Sequence, residues 1–130
     1  MSFFPRNNAP RHFFNIIKQH GALLAKSRLA GVQFDALFTD NLYFHIARHA
    51  IDTAMQMRQL FIDAGLTISE SPTNQQFVVL STKQIQHLRK TVAFETWEPV
   101  DDDHTLCRFV TRWATTETDL HTLADALKTI

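Results

Sequence analysis

The sequence contains a single cysteine, Cys107, in 130 residues. A lone cysteine excludes an intramolecular disulfide and is typical of a protein in a reducing cytoplasm. The chain has no run of about 18 consecutive apolar residues, so we expect no transmembrane helix. The first ten residues, MSFFPRNNAP, include no apolar run of roughly 7–15 residues, so we expect no signal peptide. These absences predict a cytoplasmic protein that does not bind a membrane.

Glycine and proline are also scarce, with three glycines and four prolines in the chain. So few helix-breaking residues predict long helices with few interruptions. The chain has no P-loop, no dinucleotide-binding glycine fingerprint and no nucleophile elbow, which argues against the enzyme classes that these motifs mark. Hydrophobic residues make up 45% of the chain, which is enough for a globular domain with a core of its own.

Acidic residues are missing from the first 34 positions, although the net charge of the whole chain is zero. This basic N-terminal segment contains five basic residues: Arg6, Arg11, Lys18, Lys26 and Arg28. Such a segment is suited to binding nucleic acid, a phosphate or an acidic protein surface. A solvated helix face explains the pattern equally well, and the residues alone leave these alternatives open.

Helical periodicity dominates the first half of the chain. It begins after Pro10 and continues to Phe38, and a second helix of about 24 residues follows the sequence TDN and ends at Gly65. The second helix is longer than is usual in a small domain, so we interpret it as a connection between two bodies.

Beyond Gly65 the pattern changes to that of short strands, in LTISES, QFVVLS, VAFETWEPV and TLCRFVTRW. A short helix, TKQIQHLRK, lies among them, and Thr116 with Asp119 forms a capping-box variant before the last helix. This order predicts an α+β fold. We expect two long N-terminal helices, followed by a small, mostly antiparallel sheet of about four strands covered by helices.

Three groups of potentially reactive side chains are better explained by structural roles than by metal binding or catalysis. His45 and His49 have metal-binding spacing with Asp52 near the same face, but the glutamate of the zinc-protease pattern is absent. Cys107 lies in an apolar strand, so we expect a buried, inert thiol. The aspartates at 101–103 are typical of a solvated turn. We therefore predict no metal site and no nucleophilic cysteine.

Arg108 is a permanent charge within an apolar strand, between Cys107 and Phe109. Strand alternation places Arg108 on one face of the sheet and its two neighbours on the other. An unpaired buried charge is costly, so the guanidinium needs a partner. Its planar fork is best matched by a carboxylate or a phosphate. The alternative is an edge-strand arginine that reaches solvent or pairs with an acid such as Glu95.

Several stretches together resemble the threonine aldolase/β-eliminating lyase family. They are FFNIIKQHGALLAKSRLAGVQFDALFTDNLYFHIARHAIDTA, SPTNQQFVVL and FETWEPVDDDHTLCRFVTRWATTETDL, followed by the terminal helix. They occur in the order of that family and cover the chain from about Phe13 to Leu127. The family consists of pyridoxal-phosphate enzymes of fold type I, such as L-allo-threonine aldolase, tryptophanase and cysteine desulfhydrase-like proteins.

The resemblance implies that this chain is the C-terminal part of such an enzyme. Residues 1–40 are then a remnant of the large-domain edge and its helix, and residues 41–130 are the long connecting helix and the small domain. The resemblance also implies that Arg108 binds the α-carboxylate of the amino-acid substrate. It places Arg28, or Lys26 as the second choice, near the cofactor phosphate.

The resemblance also implies that the Schiff-base lysine is missing. In the family this lysine lies on the large domain, and none of the five lysines of this chain occupies such a context. Pyridoxal phosphate is therefore expected in the complete family enzyme and not on this chain. We expect the chain alone to be inactive as a lyase or aldolase, because that chemistry requires the cofactor in a fixed orientation.

Two other classes of function stay open at this point. Helix faces that pack on the large domain of the complete enzyme are expected to be apolar and exposed here, which predicts a self-associating interaction module. The expected partner is thus a second copy of the chain or a separate large-domain chain. Nucleic-acid binding through the basic N-terminal segment is the third interpretation.

Overall fold

The computed structural model describes residues 8–130 of the chain, so Arg6 of the basic N-terminal segment lies outside the described residues. Backbone contacts divide the chain into two compact units, Met1–Leu42 and Tyr43–Ile130. The assignment of 1–40 to a large-domain remnant and of 41–130 to a connecting helix and small domain stays a prediction. Within the described part of the chain, no helix has both the length and the apolar character that crossing a membrane requires.

The first unit contains two helices where the periodicity predicts one. Helix α1 spans Phe13–Gln19, helix α2 spans Ser27–Phe38, and a 3₁₀ turn follows at Thr39–Asn41. Gly21 lies between the helices with a φ of +64°, a left-handed conformation that ends an α-helix and is easily adopted only by glycine. The predicted helix is therefore interrupted at Gly21.

Helix α3 spans Leu42–Asp63 and is the long helix that the sequence predicts. Gly65, two residues beyond the last helical residue, has a φ of +73°. The Gly65 amide donates to the Ile62 carbonyl and the Leu66 amide to the Phe61 carbonyl, the two bonds of a glycine-terminated helix end. Its buried face recurs every three or four residues, as in an amphipathic helix, and consists of Ala50, Thr53, Ala54, Met57 and Phe61.

The second unit contains a three-stranded antiparallel sheet of strands β1, Gln75–Ser81, β2, Glu95–Pro99, and β3, His104–Val110. The strand order is β1-β3-β2, so β3 is the central strand. The predicted fourth strand, LTISES, contributes only one isolated bridge, between Ile68 and Val78. The predicted α+β class is confirmed, with three strands instead of about four.

Two short helices complete the second unit: α4, Thr82–Leu88, and α5, Glu117–Leu127. Both begin with a reciprocal capping box, formed by Ser81 with Gln84 and by Thr116 with Asp119. Each box provides hydrogen-bond acceptors for backbone amides at the start of the helix, which have no acceptor within the helix itself. The predicted cap at Thr116 is therefore confirmed.

The core of the second unit lies on one face of the sheet, between the sheet and helices α3, α4 and α5. Its buried side chains are Met57, Phe61, Val78, Leu80, Ile85, Leu88, Cys107, Phe109, Leu123 and Leu127. Cys107 is fully buried in this cluster, and burial raises the pKa of its thiol. A buried thiol with a raised pKa is a poor nucleophile, as the sequence predicts.

Candidate carboxylate-binding site

Arg108 lies on the central strand and on the face of the sheet opposite the core. Its neighbours Cys107 and Phe109 are 0% and 2% exposed and point into the core, so the predicted alternation is confirmed. In the antiparallel register Arg108 is paired with Phe77 of β1 and Glu95 of β2. The guanidinium therefore has side chains of both neighbouring strands beside it. Because β3 is central, the alternative of an edge-strand arginine is wrong.

Two hydrogen bonds hold the Arg108 guanidinium from opposite sides. Its Nη2 group donates to the Glu95 carboxylate, and its Nη1 group donates to the Gln75 side-chain oxygen at 3.3 Å. The pairing with an acid such as Glu95, which belongs to the alternative interpretation of Arg108, is thus confirmed, although the edge-strand position is not. The two partners differ in exposure, since the Arg108 side chain is 24% exposed and the Glu95 side chain is 65% exposed.

Trp97 stacks on the same guanidinium. The Arg108 guanidinium carbon lies 4.6 Å from the centre of the Trp97 ring, within the range of a cation–π contact. The Trp97 ring also meets the Phe77 ring edge-on, with 5.8 Å between ring centres. The Trp97 ring, itself packed against Phe77, favours one orientation of the guanidinium plane, so its donors point in defined directions.

The position of Trp97 follows from an irregularity in the pairing of β2 with β3. Thr96 is paired with Cys107 and Glu98 with Leu106, so the register shifts at the intervening Trp97. Such bulges redirect a side chain and are frequent next to functional sites. Trp97 and Gln75 were not predicted as neighbours of Arg108. The alternation in VAFETWEPV, which puts Glu95 and Trp97 on one face, was the available signal for Trp97.

The Arg108 guanidinium also has an unused donor. Its Nε atom is buried and has no hydrogen-bond partner among residues 8–130. A guanidinium has five N–H donors in a rigid fork that matches the two oxygens of a carboxylate. The site therefore combines a fixed guanidinium, an aromatic wall and an exposed acid, which is an arrangement suited to exchanging one carboxylate for another.

The two residues predicted to contact a phosphate, Lys26 and Arg28, belong to the first unit. Lys26 is the N-cap residue of α2 and makes no side-chain capping bond, and the first turn of α2 contains no acidic residue. Arg28 lies in that first turn, and both side chains are exposed. Positive charge at a helix N-terminus attracts anions, and the phosphate role of both residues stays a prediction.

The remaining reactive groups make structural contacts. The His49 Nε2 atom lies 2.9 Å from the Thr115 carbonyl oxygen, so this histidine links α3 to the segment before α5. In the described part of the chain, no three histidine, cysteine or acidic side chains are placed to hold a metal ion. Asp101 accepts hydrogen bonds from the Asp103 and His104 amides and contacts the His104 ring. These bonds, with the Asp103 amide contributing most, lower the pKa of Asp101.

The lysines of this chain do not fit the requirements of a cofactor-binding lysine. All five side chains, those of Lys18, Lys26, Lys83, Lys90 and Lys128, belong to exposed residues. A Schiff-base lysine is activated by desolvation or by a neighbouring cation. Lys128 instead pairs with Asp125 on the surface of α5, and Lys18 lies over the Phe14 ring.

Comparisons with known proteins bear directly on this fold. No protein-family model matches the chain, and no curated protein matches it. Among solved structures, threonine aldolase from Leishmania major matches with a TM-score of 0.84 and 33% sequence identity. The chain resembles part of a threonine aldolase. The match covers 92% of this chain and 35% of the threonine aldolase chain, so this chain spans only a portion of that protein.

The likeness to threonine aldolase confirms the predicted resemblance and the predicted fold class. It extends over nearly the whole chain, as the ordered stretches from about Phe13 to Leu127 indicate. No short motif identifies this similarity by itself. The signal lies in their order along the chain.

Proposed function

We propose that this chain is the C-terminal, small-domain portion of a pyridoxal-phosphate-dependent amino-acid lyase or aldolase of the threonine aldolase type. In this proposal Arg108 binds the α-carboxylate of the amino-acid substrate. The observation that carries the proposal is the setting of Arg108, whose guanidinium is fixed by Gln75 and Trp97 and paired with the exposed carboxylate of Glu95. The likeness to part of a threonine aldolase supports it.

Arg108 contributes binding and orientation in this proposal. A bidentate contact to a carboxylate fixes the direction of a bound amino acid as well as its position. Such positioning contributes to catalysis because it removes rotational freedom before the reaction. Pyridoxal phosphate would supply the electron sink in the complete enzyme, and Arg28 and Lys26 are the proposed contacts of its phosphate.

The chain alone is proposed to be inactive, because its five lysines are exposed and do not fit the cofactor. The test is to add pyridoxal phosphate to the 130-residue chain and to record absorbance and amino-acid cleavage. We expect no stoichiometric absorbance band of lysine-bound cofactor and no turnover. A stoichiometric band with turnover, both lost on substitution of one lysine, would contradict this proposal.

Self-association is a second candidate function, and the surface of α2 favours it. Leu29 and Val32 lie one helical turn apart and are 65% and 56% exposed. Neither α1 nor α2 contributes a buried residue. Apolar helix faces of this kind mark interaction surfaces, and the proposed partner is a second copy of the chain or a separate large-domain chain. Sedimentation velocity tests the first of these partners.

Nucleic-acid binding is a third proposal and depends only on the basic N-terminal segment. Of its described members, Arg11, Lys18, Lys26 and Arg28 are exposed. Binding through such charges weakens steeply as salt concentration rises, because counterions are released from the phosphate backbone. Titration of labelled DNA and RNA at two salt concentrations checks this, and the absence of salt-sensitive binding would eliminate the proposal.

A further inference from the structure

We propose that Glu95 is an internal occupant of the carboxylate site, which a carboxylate ligand displaces when it binds Arg108. In this view Glu95 holds the guanidinium in the free protein and lowers the affinity of the site for external carboxylates. The inference rests on the proposed function, in which Arg108 binds a carboxylate. It assigns to Glu95 a role in setting the affinity and selectivity of that site.

The strand register places Glu95 where a ligand carboxylate has to go. Glu95 is paired with Arg108 across β2 and β3, and its carboxylate accepts a hydrogen bond from Arg108 Nη2. A carboxylate held beside its partner by the sheet competes at a high effective concentration. An external carboxylate must therefore replace Glu95 to use the same edge of the guanidinium.

The contrast in exposure makes Glu95 the member of the pair that can leave. Its side chain is 65% exposed, whereas that of Arg108 is 24% exposed. When the Glu95 carboxylate turns away it is hydrated, and the ligand carboxylate replaces it as the partner of Arg108, so the exchange leaves no buried unpaired charge. Ion pairs with an exposed partner are weak for the same reason.

The guanidinium stays in position after Glu95 leaves, because two other contacts hold it. Gln75 accepts from Nη1 at 3.3 Å, and the Trp97 ring lies 4.6 Å from the guanidinium carbon. Neither contact involves Glu95. Displacement therefore exposes a preoriented donor edge, which lowers the entropy cost of binding a ligand.

The size of the effect follows from the weakness of exposed ion pairs. If Glu95 competes with a ligand for Arg108, substitution by glutamine is expected to tighten carboxylate binding by about two- to five-fold. Glu98→Gln is the matched control, since Glu98 lies on the same strand, is also exposed and loses the same charge. Any effect of net charge alone appears equally in both variants.

The experiment is an NMR titration of the 130-residue chain, in which the arginine Nε–Hε resonances are followed. The probes are acetate, which is a simple carboxylate, and glycine, which adds an ammonium group. Ionic strength is kept constant with chloride. The Arg108→Gln variant assigns the Arg108 resonance and serves as the binding-deficient reference. Backbone amide spectra of all variants show that each retains the native fold.

Tighter binding of both probes by Glu95→Gln than by wild type and Glu98→Gln supports the inference. If binding depends on Arg108 but Glu95→Gln behaves like Glu98→Gln, the inference is overturned and the proposed role of Arg108 stands. If Glu95→Gln weakens glycine binding and leaves acetate binding unchanged, Glu95 contacts the ammonium group and does not compete for Arg108, which also overturns the inference. Binding that survives Arg108→Gln, or no binding by any variant, overturns the proposed function of Arg108 together with the inference.

Discussion

Thr111 links three segments of the second unit directly beyond the strand that carries Arg108. Its hydroxyl donates to the Ala50 carbonyl of α3 at 2.6 Å, and its carbonyl accepts from the Asn74 side chain at 2.8 Å. Thr111 is only 1% exposed. A buried hydrogen bond of this kind fixes the end of β3 against α3, and so contributes to holding Arg108 in register.

Replacement of Thr111 by valine tests this link. Thr111→Val keeps the shape of the side chain and removes the hydroxyl, so we expect the free energy of unfolding to fall by about 1 kcal/mol. Urea denaturation measures the change. Thr118→Val, at an exposed position of α5, is the control and is expected to change stability by less than about 0.5 kcal/mol. Equal effects of both substitutions would show that the Thr111 bond contributes nothing specific.

At the scale of the element, the described helices of the second unit begin and end through local chemistry. The boxes at Ser81–Gln84 and Thr116–Asp119 start α4 and α5, and Gly65 ends α3. Each of these signals needs only a few neighbouring residues, so it can be recognised in the sequence without knowledge of the tertiary structure. The N-terminus of α5 is also sensitive to pH, because its box contains a carboxylate.

Acid is expected to weaken the start of α5. Hydrogen bonds from the Thr116 amide, and then from its hydroxyl, lower the pKa of Asp119 in the folded chain. A folded pKa below the unfolded one means that the unfolded state binds more protons as pH falls. The contribution of Asp119 is therefore complete above the ordinary carboxyl pKa and is lost as pH falls towards the lower folded value.

The measurement is thermal unfolding of wild type and Asp119→Asn at neutral and acidic pH. We expect the variant to be less stable at neutral pH and to lose less stability on acidification than wild type. Asp102→Asn, in an exposed turn, is the control for the loss of one negative charge. Parallel pH profiles for wild type and Asp119→Asn would refute the coupling of this cap to pH.

Gly65 provides a test of backbone conformation without a change in packing. Its φ is +73°, and a Cβ atom added there meets nothing within 4 Å. Gly65→Ala is therefore expected to destabilise the chain by about 1 kcal/mol through backbone strain alone. Gly65→Asn is expected to restore part of that loss, because asparagine tolerates the left-handed conformation. Urea denaturation that finds alanine equal to glycine would contradict this account of the helix end.

At the scale of the whole molecule, burial differs between the two units. The second unit has a core of its own beneath the sheet, whereas α1 and α2 of the first unit contribute no buried residue. An apolar helix without a buried face gains little stability by itself, since most helical stability in proteins comes from tertiary packing. This imbalance supports the proposal that the first unit packs on a partner.

Substitutions on α2 test whether the partner is a second copy. We expect wild type to sediment as an oligomer and the double variant Leu29→Glu/Val32→Glu to shift towards monomer, because buried charges destabilise an apolar interface. Gln33→Glu adds a charge at another exposed position of α2 and is expected to sediment as wild type. A monomeric wild type at high concentration, or an unchanged double variant, would count against self-association through this face.

The strand periodicity was sufficient to predict which face of the sheet carries Arg108, but it did not predict which residues surround Arg108. Alternation separates Arg108 from Cys107 and Phe109 whichever strands flank them. The predicted sheet, in contrast, contained LTISES as a strand. In the structure this segment forms only one bridge, between Ile68 and Val78. Strand pairing joins distant residues, and its order depends on long-range packing that a local pattern does not contain.

The sequence by itself determined the α+β class, the long helix ending at Gly65, the cap of α5 and the inward face of β3, because each depends on neighbouring residues. Only the tertiary structure decided that β3 is central and that Glu95, Gln75 and Trp97 surround Arg108. These partners come from two other strands, and one of them is placed by a bulge. Such a site is a product of strand register, which forms only when the sheet does.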